Sequence, residues 1–306
     1  MKKLLLAIIV LVLIAGFLLP RKKSDNLSAV ANMPFDAVSR LLSQPAQWHK
    51  WWPGKQTNDS TYLYDGQPVQ VQTVLLNGFV GNMDMKGIPA SINFQSMVGT
   101  DAQTQLQLGI HFQFSGNPLV RSWQYLKYLG ARSSFNTFIN HIKDSLSSVE
   151  NVYGFPIRME KVPDSSLISM RKTFDHEPST AEIYALIDQI KAYVASQNSK
   201  QVNPAILNVI KEDSLHYLTM VAVPVTGNLP GTEQFLLKNM MLGNIIVAPV
   251  TGGPQRIKAC WEAVQNYIRD YRKTSPAISF ERLITDRRRE PDTSKWVTTI
   301  NYPVFN

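Results

Sequence analysis

A carboxylate stands in the middle of a partly apolar segment near the carboxy terminus. Glu281 follows Phe280 in the segment Ile278–Thr285, whose composition predicts a β-strand. A carboxylate in the middle of such a strand costs free energy unless it is paired or faces a polar ligand. The sequence offers ordinary partners in Arg282 and in the run Arg287–Arg289. Glu281 is therefore either half of an ion pair at the sheet edge or a functional group.

Catalysis at Glu281 would need a second polar group that converges on the carboxylate. His176 and His216 lie earlier in the chain and have no regular spacing to it. The sequence contains no P-loop, dinucleotide-binding, zincin or nucleophile-elbow motif, and its single cysteine, Cys260, excludes a Cys-based zinc cluster. No catalytic residue, metal site or cofactor is predicted. Hydrolysis with Glu281 as general acid–base remains an alternative to ligand binding.

The composition of the 306-residue chain indicates a folded protein with a basic amino terminus. Its 44% of hydrophobic residues can bury sizeable cores, which excludes disorder as the main state. The net charge of +8 is concentrated at the start, where five basic residues precede Asp25, the first acidic residue. The remainder is close to neutral and has neither a helix-turn-helix segment nor a basic-aromatic stripe. No nucleic-acid partner is therefore predicted, and no protein partner is identified.

An uninterrupted apolar run, Leu4–Leu19, lies between basic residues at the amino terminus. As a helix it would span about 24 Å, which is short of a hydrocarbon core of about 30 Å, although flanking Lys and Arg can snorkel. No small-residue cleavage site follows the run, so an uncleaved single-pass anchor over residues 1–23 is favoured over a signal peptide. We expect a membrane protein whose body lies on the periplasmic or extracytoplasmic side.

Residues 24–152 predict a first domain that starts with a short helix, continues in strands and ends in a helix. Met33–Leu42 places its apolar residues on one helical face. Thr104–Phe114 alternates apolar and polar residues, which is typical of a half-buried antiparallel strand. The closing helix is predicted from Phe135 to Val149 by apolar positions at helical spacing. Further strands are predicted at Thr61–Tyr64, Val69–Leu76 and Ile92–Met97.

The stretch MPFDAVSRLLSQPAQWHKWWPG, at residues 33–54, resembles the first helix and tryptophan-rich turn of the START/polyketide-cyclase-like (SRPBCC) helix-grip family. The resemblance covers the first domain, although the later strands match only in pattern. It implies a sheet curled around the last helix, with an apolar cavity for a lipid-like or polycyclic ligand. The alternative is that Trp48, Trp51 and Trp52 serve only for packing.

Residues 153–306 contain an internal repeat. The apolar face of a first helix recurs 74 residues later, so that Ile183 corresponds to Ile257 and Ile187 to Trp261. Similar strands flank both helices. The domain is therefore predicted to be α+β, with two β-α-β-β units that form one antiparallel sheet and place both helices on one face. A ligand groove would lie at the pseudo-two-fold axis between the units.

The second domain contains the segments LTMVAVPV at 218–225, Gly252–Pro254, SPAISFERLITD at 275–286 and TTINYPV at 298–304. These segments resemble the GyrI-like small-molecule-binding family, which also supplies effector domains of bacterial transcription activators. The resemblance implies that Glu281, on the penultimate strand, faces the ligand. It makes Trp261, Tyr302 and Tyr184 candidates for the walls of the groove, where a cation would meet both a carboxylate and aromatic rings.

The sequence thus predicts a membrane-tethered protein that binds small apolar or cationic molecules, with Glu281 as ligand carboxylate. The competing hypotheses are a hydrolase that uses the same carboxylate and a protein-interaction module whose grooves are filled.

Overall fold

The computed structural model describes residue 14 and residues 16–100, 102–163, 166–240, 242–275 and 277–305. It is α+β with two antiparallel sheets, and the chain divides into two compact units, Met1–Val152 and Tyr153–Asn306.

The first unit contains a seven-stranded antiparallel sheet with the strand order β1-β7-β6-β5-β4-β3-β2. The long helix α2 packs against the inner face, where Leu108, Ile110 and Phe112 of β7 are buried. The strands are β1 (Lys22–Ala31), β2 (Gln56–Asn58), β3 (Thr61–Tyr64), β4 (Gln67–Leu75), β5 (Gly78–Asp84), β6 (Pro89–Val98) and β7 (Thr104–Gln113). The helices are α1 (Phe35–Leu42), a 3-10 turn (Pro45–Lys50), α2 (Pro118–Ser147) and α3 (Val149–Tyr153), which ends at the first residue of the second unit.

The predicted amino-terminal transmembrane helix is contradicted. In the described ranges, no helix has the length and apolar character needed to cross a membrane. Most of Leu4–Leu19 lies outside the described residues, which omit 1–13 and 15. Lys22 and Lys23, assigned to the anchor of residues 1–23, instead begin β1, which pairs with β7. The predictions of membrane tethering, of a single-pass location and of an extracytoplasmic body depended on this helix and are contradicted together with it.

The second unit contains an eight-stranded antiparallel sheet with the strand order β12-β9-β11-β10-β14-β15-β13-β8. Its helices are α4 (Thr180–Ser196) and α5 (Pro254–Asp270), each of which packs on the strands of its own half of the sheet. The strands are β8 (Arg158–Lys161), β9 (Ser166–Phe174), β10 (Ile206–Lys211), β11 (Tyr217–Pro224), β12 (Leu236–Asn239), β13 (Asn244–Thr251), β14 (Phe280–Leu283) and β15 (Val297–Val304).

The two halves of this sheet are related by a pseudo-two-fold axis. The order β9-β11-β10 is mirrored by β13-β15-β14, and β10 pairs with β14 in the antiparallel sense. Leu207 is the register partner of Glu281, and the two residues are separated by the same 74 positions as the starts of α4 and α5. The axis therefore passes between Leu207 and Glu281, so one copy of the repeat presents a leucine there and the other a carboxylate.

Candidate functional site

A cavity of about 490 Å³ lies at the pseudo-two-fold axis of the second unit. The first turns of both helices contribute Ile183 and Ile257, and the central strands contribute Leu207 and Glu281. The sequence around the first turn of each helix explains why both helices begin beside the cavity. Ser179 and Glu182 form a capping box at the start of α4, and α5 begins with a proline at its first position. The remaining walls include Trp261, Arg287 and Trp296.

The alternation of β14 turns Glu281 toward this cavity. Leu283, two residues later, packs in the core under α4, whereas Phe280 packs with Ile206 on the other face of the sheet. Side chains in a strand alternate between faces, so Glu281 shares the helix side with Leu283. The same alternation places Arg282 on the opposite face, which makes it unable to pair with Glu281.

Two protein donors hold the carboxylate of Glu281. Its Oε1 accepts a hydrogen bond from Nε1 of Trp261 at 3.1 Å, and its Oε2 accepts one from Nη2 of Arg287 at 3.0 Å. The side chain of Glu281 is 17% exposed and that of Arg287 is 10% exposed. The Arg287–Arg289 turn therefore provides the ion-pair partner, and the pair lies in the wall of a cavity.

Arg287 makes further contacts with the strand and loop around it. Its Nη2 donates to Oγ1 of Thr298 at 2.9 Å, and its guanidinium lies 4.9 Å from the ring centroid of Trp296. The indole N–H of Trp296 in turn donates to the carbonyl of Glu290 at 2.8 Å. The sequence analysis did not select Thr298 or Trp296. The signal for Trp296 was the longer loop of the second repeat, between β14 and β15, and Thr298 lies just after this loop in β15.

The four residues proposed as ligand contacts occupy different positions. Trp261 and Glu281 line the cavity together and are hydrogen-bonded. Tyr184 is buried and lies outside the lining of this cavity; its hydroxyl donates to the carbonyl of Thr285 at 3.1 Å, and burial raises its pKa. Tyr302 is half-buried on β15 and shares a face with Ile300, the register partner of Glu281, but it is not among the lining residues.

Cys260 and His216 do not form a site with Glu281. Burial raises the pKa of the Cys260 thiol to about 12, so this residue of α5 behaves as a small apolar side chain on the buried face of the helix. His216 is held by Asp213, at 2.7 Å between Nδ1 and Oδ2, on the surface. Across the described ranges there is no group of three or more His, Cys, Asp or Glu side chains that could hold a metal ion.

The tryptophan-rich turn of the first unit is part of its core. Trp48, Trp51 and Trp52 are buried, and the ring of Trp48 lies 5.1 Å from that of Tyr62 and 5.2 Å from that of Phe79. These contacts support the packing role that the sequence left open for the tryptophans. Two depressions of about 530 and 470 Å³ lie on the outer face of the same sheet and are lined mainly by polar side chains.

Comparison with models of protein families and with curated proteins gives no match. Solved structures match at low similarity. The C-terminal domain of EcmrR has a TM-score of 0.42 and 13% identity, over 49% of this chain and 97% of that chain. SAV2435 bound to tetraphenylphosphonium has a TM-score of 0.34 and 17% identity, over 49% and 93%. A hydrolase from Listeria innocua has a TM-score of 0.36 and 10% identity, over 48% and 91%.

These neighbours agree with the GyrI-like part of the resemblance. At such identities and TM-scores they carry no argument about function, and membership of the family is not shown. The resemblance of the first unit to START-like proteins stays a prediction. The absence of a nucleic-acid partner also stays a prediction.

Proposed function

We propose that the second unit binds a small, mainly apolar organic molecule in the cavity at its pseudo-two-fold axis. The observation that supports this is the composition of the walls. Ile183, Leu207 and Ile257 form an apolar lining, two tryptophans add flat surfaces, and the polar groups of Glu281 and Arg287 meet at one place. Ligand sites are typically cavities of about 300–1,000 Å³ with this combination of apolar walls and a few placed polar groups.

Ligand binding accounts for the carboxylate better than hydrolysis does. Both oxygens of Glu281 already accept hydrogen bonds from protein donors, Trp261 and Arg287. Neither an indole N–H nor a guanidinium gives up a proton near neutral pH, so these two contacts provide no second acid–base group for hydrolysis. The geometry instead suits a group that fixes the orientation of a bound molecule.

The proposal is tested by filling the cavity from its rim. Val209 lines the cavity from β10 and is 37% exposed, so Val209→Trp places a large ring in the cavity mouth without overpacking a core. Ile210→Trp is the matched control, because Ile210 is the next residue of β10, is 40% exposed and points to the other face.

The probes are tetraphenylphosphonium, its anionic counterpart tetraphenylborate, and neutral triphenylphosphine oxide. A probe at about 100 times its Kd stabilises the fold by about 2.7 kcal/mol, which a thermal-shift measurement detects. We expect at least one probe to stabilise the wild type and Ile210→Trp but not Val209→Trp. Equal stabilisation of both variants, or of none of the three proteins, contradicts the proposal.

A further inference from the structure

The charged groups around the cavity balance one another. Glu281 faces Arg287 at 3.0 Å, and the other charged lining residues are Glu177 and Lys258. The carboxylate that the sequence analysis assigned to a cationic ligand is therefore already neutralised by the protein. A cation that enters this cavity meets no unpaired negative charge at Glu281.

The guanidinium of Arg287 occupies the place where a bound cation would be held. Carboxylate oxygen, hydroxyl oxygen and an indole face converge on it from Glu281, Thr298 and Trp296. This is the set of groups that binds an organic cation in proteins, where Coulomb attraction and cation–π contact act together. The guanidinium of Arg287 therefore makes the contacts that a cationic ligand would make.

The loop that delivers Arg287 is the main departure from the internal repeat. The first copy joins β10 to β11 by residues 212–216, whereas the second joins β14 to β15 by residues 284–296. The backbone N–H of Arg287 donates to the hydroxyl of Tyr184 at 3.0 Å, and Arg288 forms an ion pair with Asp188 on α4. The loop is thus tied to the first copy of the repeat, which positions Arg287 at the axis.

The carboxylate and the guanidinium occur together on the second copy. At the axis the first copy has Leu207 in place of Glu281, and its short turn has no residue equivalent to Arg287. We propose that Arg287 is a specificity-determining residue, an internal counter-ion that makes the cavity select neutral apolar molecules and disfavour cations. This inference rests on the proposed ligand cavity and names the class of ligand that it takes.

The test measures how the three probes compete in variants of the full chain. Arg287→Met keeps the length of the side chain but leaves Glu281 without its charged partner. A partly buried unpaired charge favours a new counter-ion, so we expect tetraphenylphosphonium affinity to rise on the order of tenfold or more relative to triphenylphosphine oxide. The gain should disappear in Glu281→Gln/Arg287→Met, in which no carboxylate remains. Isothermal titration calorimetry gives the affinities.

Arg289→Met is the matched control, since Arg289 belongs to the same loop but is 89% exposed. It should leave the ratio of cation to neutral affinity as in the wild type. An unchanged ratio in Arg287→Met, with binding still blocked by Val209→Trp, overturns the inference and leaves the cavity proposal standing. A gain that persists without Glu281 also overturns it. Absence of Val209-dependent binding in the wild type and in Arg287→Met instead removes the cavity proposal itself.

Discussion

At the scale of single residues, His176 shows how local charge sets a pKa at the start of α4. Its Nδ1 lies 2.6 Å from Oδ1 of Asp175, and its Nε2 lies 3.1 Å from Oε1 of Glu182. Hydrogen bonds to these carboxylates, that to Asp175 first, raise the pKa of His176 above its usual 6.5. Because the pKa is raised in the folded state, the stabilisation is fully present below the unfolded-state pKa of about 6.5 and is lost as the pH rises through the folded-state value.

The prediction is that Asp175→Asn lowers the pKa of His176, because the imidazolium loses its strongest partner. An NMR titration of the imidazole protons measures this. The matched control is Asp213→Asn, which should lower the pKa of His216 and leave that of His176 unchanged. An unaltered His176 titration in Asp175→Asn contradicts the assignment.

The sequence can exclude one possible ion-pair partner of Glu281, but it cannot identify the partner that the structure shows. Strand alternation alone excludes Arg282, because neighbouring residues of a strand point to opposite faces. Arg287 was one of the offered partners, but its pairing depends on the path of the loop, which no periodicity predicts. Trp261 and Glu281 line one cavity, whereas Tyr184 and Tyr302 lie outside its lining, because composition does not determine side-chain direction. That any of the four contacts a ligand stays a prediction.

At the scale of elements, α2 shows why a pattern of apolar residues can miss half of a helix. The sequence predicted a helix from Phe135, whereas α2 begins at Pro118. In the added turns the buried residues are Arg121, Gln124 and Tyr128, all of which carry polar groups, and Trp123 is exposed. A helix whose buried side is polar has no apolar stripe to recognise, so its first half cannot be found by hydrophobic periodicity.

Arg121 stabilises this part of the first unit through hydrogen bonds to backbone carbonyls. It donates to the carbonyl oxygens of Leu19, Ser115 and Gly116 at 2.8–3.0 Å. Arg121→Met leaves these carbonyls without their donor, and we expect a loss of about 2–3 kcal/mol. Hydrogen exchange at the amides of α2 and β1 measures it, because exchange reports the stability of each region separately.

The matched control is Arg132→Met on the same helix. The side chain of Arg132 is 63% exposed and lies 3.8 Å from Asp25, so its removal should change stability by less than about 1 kcal/mol. Equal losses for the two variants would show that the positive charge of α2, and not the bonds to carbonyls, stabilises this region.

Strand β1 was missed for a related reason. Its first two residues, Lys22 and Lys23, were assigned to the anchor of residues 1–23, and one of its inward positions is Asp25, whose Oδ2 accepts a hydrogen bond from Tyr128 at 2.6 Å. An inward-facing carboxylate interrupts the alternation that identifies a half-buried strand. The internal repeat was easier to recognise, because equal spacing of helical faces does not depend on the polarity of any one residue.

At the scale of the whole molecule, the sequence predicts the two-fold symmetry of the second unit but not the contacts of the loop that departs from it. The spacing of 74 residues holds for α4 with α5 and for the starts of β10 and β14. It does not hold for β11 with β15, because the loop of residues 284–296 intervenes. The sequence could therefore place the axis, whereas the meeting of Glu281 with Arg287 at that axis required the loop conformation.

This asymmetry leads to a prediction about what the ion pair contributes to folding. Two charges taken partly out of water gain little net stability from each other, whereas removing one partner leaves the other uncompensated. Glu281→Leu and Arg287→Met should each lower the free energy of unfolding by about 1–3 kcal/mol, less than for a fully buried pair because both side chains are partly exposed.

The double variant Glu281→Leu/Arg287→Met should recover most of this loss, because it makes the axis apolar on both copies, as Leu207 already is on the first. Thermal denaturation of the wild type, the two single variants and the double variant gives the coupling energy between Glu281 and Arg287. We expect the stability of the double variant to lie within about 1 kcal/mol of that of the wild type. Such a result would mean that the pair is not needed for stability, which fits a role in selecting the ligand. Losses that simply add would instead mean that Glu281 and Arg287 are not energetically coupled, and that each stabilises the fold through its other contacts, with Trp261 for Glu281 and with Thr298 and Trp296 for Arg287.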